Sequence, residues 1–174
     1  TSVKSFSPNL DDAEKNALQQ LADTWNKQPL HAADFFPGTP AQEIVKTVKL
    51  RQGITTTIFQ TNAPGRILGF ELNAPVKLDT IAKNIDLKIT WDGDAQPAVF
   101  CPLADYFGYA FGEASMQGLP AGADGKRFYS FFPMPFDRSA KIELIYRKTN
   151  LNDAPPELSF TARFLLSPQK RDPA

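Results

Sequence analysis

IDLKITWDGD, residues 85–94, decides the fold class of this chain. Ile85, Leu87, Ile89 and Trp91 alternate with Asp86, Lys88 and Thr90, so one face of the segment is apolar and the other polar. That period of two belongs to a strand with one buried side. Asp92-Gly93 then reads as a hairpin turn, because glycine takes positive φ freely and aspartate tolerates it better than most residues. The alternation returns at Ala140, Ile142, Leu144 and Tyr146, and again at Leu158, Phe160, Ala162, Phe164 and Leu166. Weaker runs at about 43–50, 53–61, 66–73, 97–103 and 128–136 bring the expected strands to eight. The predicted class is all-β: an antiparallel jelly-roll β-sandwich with one N-terminal α-helix. Fourteen phenylalanines suit the space between two sheets.

The predicted helix covers about residues 11–26, where Asp11 and Glu14 have the spacing of a capping box. Leu10, Ala13, Ala17, Leu18, Leu21 and Trp25 form its narrow apolar face, as in a helix lying on something larger. Pro29, Pro37, Gly38 and Pro40 break regular structure in the linker that follows, within which Asp34-Phe35-Phe36 is a candidate anchor to the sheet. The expected organisation is therefore helix and linker over 1–42, sandwich over 43–168 and a tail over 169–174. The longest irregular stretch, 108–126, contains Gly112, Gly118, Pro120, Gly122 and Gly125, and a connection of that length is usually functional or mobile. The chain starts at Thr1 almost directly before a helix, which suggests a processed or excised piece of something longer.

With 174 residues, the chain can bury a large core. Nineteen basic residues against nineteen acidic ones give no global field for DNA, RNA or an anionic membrane. One cysteine and one histidine rule out an intramolecular disulfide and put the usual zinc sets out of reach. No apolar run reaches the roughly 20 residues that span a bilayer. Neither a serine-hydrolase elbow, a P-loop nor a dinucleotide fingerprint occurs, so no cofactor is expected.

The candidate site residues are acidic or aromatic. Asp92 and Asp94 would stand roughly 6.6 Å apart on one face of an extended strand, within reach of a glycosidase carboxylate pair, although a turn removes that geometry. Asp105 and Tyr106, with Phe107 beside them and Glu113 further on, suit a sugar whose apolar face packs on a ring while its hydroxyls donate to the acid. A calcium site from Asp92, Asp94 and Asp105 has the right ligand chemistry but lacks the full loop pattern, so no metal is expected. His31 reads as an exposed linker residue and Cys101 as an inert core thiol. Pro133 and Pro135 within FFPMPF, residues 131–136, fit an edge strand or bulge.

Taken in order, LKITWDGDAQPAVFCPLADYFG, SMQGLP and FYSFFPMPFDRSAKIEL resemble a bacterial family long grouped as a domain of unknown function and now associated with glycoside hydrolase family 172, which includes difructose dianhydride I synthase/hydrolase and α-D-fructofuranosidase-like members. The matching positions are Trp91-Asp92-Gly93, Pro97-Ala98-Val99, Pro102-Leu103, Asp105-Tyr106-Phe107-Gly108 and Pro133 to Ala140, across about residues 85–148. Asp94 and Ala104 depart from the family's usual Glu and Gly. The resemblance implies paired jelly-roll modules, oligomeric assembly, activity on fructofuranosides and a bacterial, periplasmic or secreted setting. It also implies catalytic glutamates in E-G-D and G-T-E-D-Y stretches, and this chain contains neither.

The expected function is therefore a module that acts on or binds furanoside-containing carbohydrate within a larger glycoside-hydrolase-like protein, inactive alone. A structural, oligomer-forming module is the alternative, and a self-sufficient hydrolase using Asp105 with Glu113, or Asp92 with Asp94, is a third. The expected partners are carbohydrate and a second jelly-roll module or another copy of the chain.

Overall fold

The computed structural model describes residues 9–27, 30–109, 114, 116–148 and 154–168, and the chain divides into one unit ending at Leu30 and a second beginning at His31. In the first unit, α1 (Asp12–Asn26) starts with the predicted capping box. Glu14 N–H donates to Asp11 Oδ1 and Asp11 N–H donates to Glu14 Oε2, each at 2.9 Å. Leu18, Leu21 and Trp25 on its apolar stripe remain exposed.

The second unit is an all-β sandwich. Its strands are β1 (Gln42–Arg51), β2 (Ile54–Thr61), β3 (Gly65–Asn73), β4 (Ile85–Trp91), β5 (Val99–Pro102), β6 (Met116–Gln117), β7 (Ala121–Ala123), β8 (Arg127–Ser130), β9 (Met134–Phe136), β10 (Ala140–Tyr146) and β11 (Glu157–Ser167). Short helices α2 (Ala32–Phe35) and α3 (Leu103–Tyr106) and a 3-10 turn at Ile81–Asn84 complete it. One sheet has the order β1-β11-β3-β8-β7-β6, with β9 also on β3, and the other the order β2-β10-β4-β5. All pairings are antiparallel.

Eleven strands replace the eight expected, for two local reasons. The 128–136 run splits into β8 and β9 around Pro133, since proline cannot donate to a ladder. β9 pairs only with the near end of β3, as the two prolines predict for an edge. The 108–126 stretch, expected to be irregular, contains the short pair β6 and β7.

Alternate residues of both sheets fill the core. Phe164 packs on Phe59 at 4.9 Å and on Phe70 at 5.8 Å, and Phe107 lies 5.6 Å from Phe70 and 5.7 Å from Phe128. Each fully buried ring contributes roughly 1.5–3 kcal/mol through apolar area removed from water. Trp91 packs at the core margin, as its alternation with Ile89 predicts. Among the described residues no helix is long and apolar enough to cross a membrane.

Candidate functional site

β4 ends in the turn that Asp92-Gly93 predicts. Both residues have positive φ, 56° and 76°, and Asp94 N–H donates to Trp91 O at 2.9 Å. The Asp92 side chain is occupied within the fold. Its Oδ1 accepts the backbone N–H groups of Asp137, Arg138 and Ser139 at 3.0, 2.6 and 3.1 Å, while Asp92 N–H donates to Ser139 O at 2.8 Å. These bonds, led by those from Ser139 and Arg138, hold its carboxyl below the usual carboxylate range. Asp94 lies exposed beside the turn.

Asp105 sits in α3, after β5. Its carboxylate pairs with Lys83, which precedes β4, and remains 44 % exposed. The Tyr106 ring is part of the packing, 5.9 Å from Phe70 and 5.0 Å from Phe107, and its hydroxyl reaches Met134 Sδ at 3.9 Å. Burial pushes that hydroxyl's pKa up, against the opposing hydrogen bond from Ser130. Glu113 lies outside the described residues.

Asp92 and Asp105 fall at opposite ends of β4, with Asp94 beside Asp92. Asp86 pairs with Pro102, just before Asp105, whereas Asp92 closes the far end. Six residues of strand at about 3.3 Å each separate the two positions by roughly 20 Å. Retaining glycosidases need about 5–5.5 Å between carboxyls and inverting ones about 6.5–9.5 Å. Asp92 and Asp105 therefore cannot act on one glycosidic bond in this arrangement.

A second charged group, not singled out from the sequence, lies on the outer face of the larger sheet. Glu71, with a side chain 2 % exposed, receives Arg127 Nε at 2.9 Å and sits 2.8 Å from His31 Nδ1. His31 thus anchors the linker rather than standing free in it. Its partner is forty positions away, beyond what local spacing reveals. Asp34 completes the anchor by accepting His31 N–H at 2.7 Å, and the Phe35 ring meets Phe131 at 5.2 Å. A crevice beside this group, bordered by His31, Glu43, Glu71 and Arg163, has a volume of about 10 Å³, enough for a single water.

Cys101 is partly buried, and burial, followed by the charges of Asp105 and Asp86, pushes its thiol pKa up. A protonated thiol is a poor nucleophile.

Segments distant in sequence converge around β9. Trp91 stacks on Phe136 with centroids 6.0 Å apart and planes within 2°, Asp92 binds the backbone of residues 137–139, and Tyr106 touches Met134. The GH172 domain-like family matches residues 40–158, a span that includes all of these contacts. The chain belongs to this family. No curated protein matches it. Among solved structures, the GH172-like domain is similar to the acidic stable capsid structure of Helicobacter pylori bacteriophage KHP30 at 6 % identity, covering 75 % of this chain and 95 % of that one with a TM-score of 0.41. It is similar to the infectious bursal disease virus VP2 subviral particle at 17 % identity, covering 75 % of this chain and 33 % of that one with a TM-score of 0.41. A third likeness is to Aeromonas hydrophila PliG, a periplasmic inhibitor of g-type lysozyme, at 9 % identity, 75 % and 89 % coverage and a TM-score of 0.33.

Proposed function

We propose that the chain is a jelly-roll module of a GH172-like bacterial protein, one that builds framework and binding surface while the catalytic carboxylates reside elsewhere in the assembly. One observation carries this reading: the two candidate carboxylates Asp92 and Asp105 are each engaged within the fold and held apart. Asp92 accepts three backbone N–H groups on Oδ1, and Asp105 is paired with Lys83 roughly 20 Å away. The jelly-roll assignment is supported by the strand order, since β1-β11-β3-β8 in one sheet and β2-β10-β4-β5 in the other make the chain cross between sheets at each early connection.

The test is turnover of fructofuranosides and arabinofuranosides by the purified chain, alone and with the parent protein's remaining modules. The isolated chain is expected to release no sugar. Turnover by it, abolished in a folded Asp105→Asn variant, would overturn the proposal.

A second reading, assembly into an oligomer, is favoured by Ile54 and Phe100. These lie on the two edge strands of the four-stranded sheet and are 53 % and 62 % exposed. Light scattering should then give a mass above that of one chain, reduced by Phe100→Asp. A monomer at high concentration removes this reading.

A further inference from the structure

We infer that the outer face of the seven-stranded sheet carries a groove for a neutral, polyhydroxylated ligand, formed by Thr47, Asn73, Ser159 and Thr161. The inference goes beyond the proposed function, since it concerns binding on a face that none of the candidate carboxylates reaches.

Register brings the four residues together. Thr47 pairs with Thr161, and Thr161 pairs with Asn73, so one row crosses β1, β11 and β3. Ser159, two residues along β11, extends the row by one step on the same face. Their neighbours Val48, Phe160, Ala162 and Leu72 are buried in the core, so the four side chains point outward. Pro75, where the chain leaves β3, supplies an apolar wall, and the groove's volume is about 300 Å³, at the lower bound for small-molecule sites.

What sets this row apart is its free hydrogen-bonding capacity. Towards one end of the sheet the charged outward positions are paired and the glycine is covered: Glu43 pairs with Arg163, Glu71 with Arg127 and His31, and Gly69 lies under Ala32 of α2, where an added Cβ would come within 2.9 Å. Towards the other end, Glu157 takes both Lys49 and Arg51. The charges on either side are thereby matched within the protein. None of the side chains of Thr47, Asn73, Ser159 and Thr161 hydrogen-bonds to another described residue. Three hydroxyls and an amide each donate and accept, which matches the hydroxyls of a sugar or polyol, and no cationic side chain lines the groove to select an anion.

An NMR titration of the isotopically labelled chain tests this, with sucrose, maltose and sorbitol as neutral probes and inorganic phosphate as the charged one. At least one neutral probe should produce saturable shifts at the amides of residues 47, 73, 159 and 161 with a Kd of about 1–10 mM. Asn73→Ala and Thr161→Val, both at surface positions, should weaken binding about five- to tenfold with unfolding temperature unchanged. Circular dichroism checks the fold of each variant. Failure of all three neutral probes to saturate, phosphate binding in their place, or binding unaltered in both variants overturns the inference.

Discussion

Replacing Asp92 by alanine is expected to destabilise the sandwich by about 2 kcal/mol, close to one charge-assisted hydrogen bond although three are lost. The three donors share one oxygen, the carboxylate is open to solvent, and the freed N–H groups can turn to water, so their contributions do not add. The backbone has a second effect. Alanine at a φ of 56° retains a Cβ in the left-handed region, whereas glycine relaxes it. The expected order of loss is therefore Asp92→Ala, then Asp92→Gly, then Asp92→Asn, which keeps one neutral acceptor. At about 2–4 °C per kcal/mol for a domain of this size, the alanine variant should melt about 4–8 °C below the parent. The carboxyl's pKa is depressed in the folded state, so its contribution is fully present above the unfolded value of about 3.9 and disappears as pH falls through the folded value. The gap between parent and Asp92→Asn should accordingly be constant from neutral pH to about pH 5 and close on further acidification. Urea denaturation followed by circular dichroism across that range measures it. Equal stabilities at neutral pH, or a gap indifferent to acid, would refute the clamp.

Glu71→Ala should cost about 3 kcal/mol or more in chemical denaturation, because it leaves the largely buried Arg127 without its carboxylate, whereas His31→Ala should cost about 1 kcal/mol or less, since the imidazole is half exposed. Gly69→Ala places a Cβ 2.9 Å from Ala32, Phe131 and the Ser130 carbonyl, and should lower stability by about 1–3 kcal/mol through displacement of α2, seen as faster proteolysis within residues 31–41. Asp105→Asn breaks an exposed ion pair and should change stability by no more than about 1 kcal/mol, so a larger loss in a melting curve would show that Lys83 and Asp105 do more than pair at the surface.

The sandwich was legible because its signals are local. Alternation in Ile85–Trp91, Ala140–Tyr146 and Glu157–Ser167 fixes which side chains face inward, and the Asp92-Gly93 turn needs only its own two residues. The same period of two misleads at Glu71. Between Phe70 and Leu72 it reads as a solvent-facing residue, yet α2 and Arg127 bury it. That burial comes from a segment forty positions away. Glu143 differs in kind, as strand register alone brings Lys88 opposite it. Burial there raises the carboxyl's pKa, but Lys141 and Lys88 outweigh it and the net shift is downward. For the candidate site, spacing within one strand could suggest a carboxylate pair, whereas the distance between Asp92 and Asp105 depends on the pairing of β4 with β5. β6 and β7 escaped because two- and three-residue strands are too short to show a period.

Several of the residues that carry the family resemblance touch one another in space. Trp91 and Asp92 end β4, Met134 and Phe136 form β9, and Tyr106 and Phe107 close α3, yet the stacked rings, the Asp92 clamp and the Tyr106–Met134 contact tie all three segments together. An acidic, aromatic motif invites a catalytic reading, but here the aspartate binds backbone N–H groups and the aromatics fill the space between sheets. Each motif residue so used is constrained by packing and hydrogen bonding, without any substrate. The motif thus specifies how the chain crosses from one sheet to the other, and function must be sought where polar groups are left unused, as along the Thr47–Thr161–Asn73 row. If that division holds, substitutions around β9 will lower stability without altering sugar binding, and substitutions in the groove will do the reverse. Finding both effects at one residue would show that frame and binding surface are not separate.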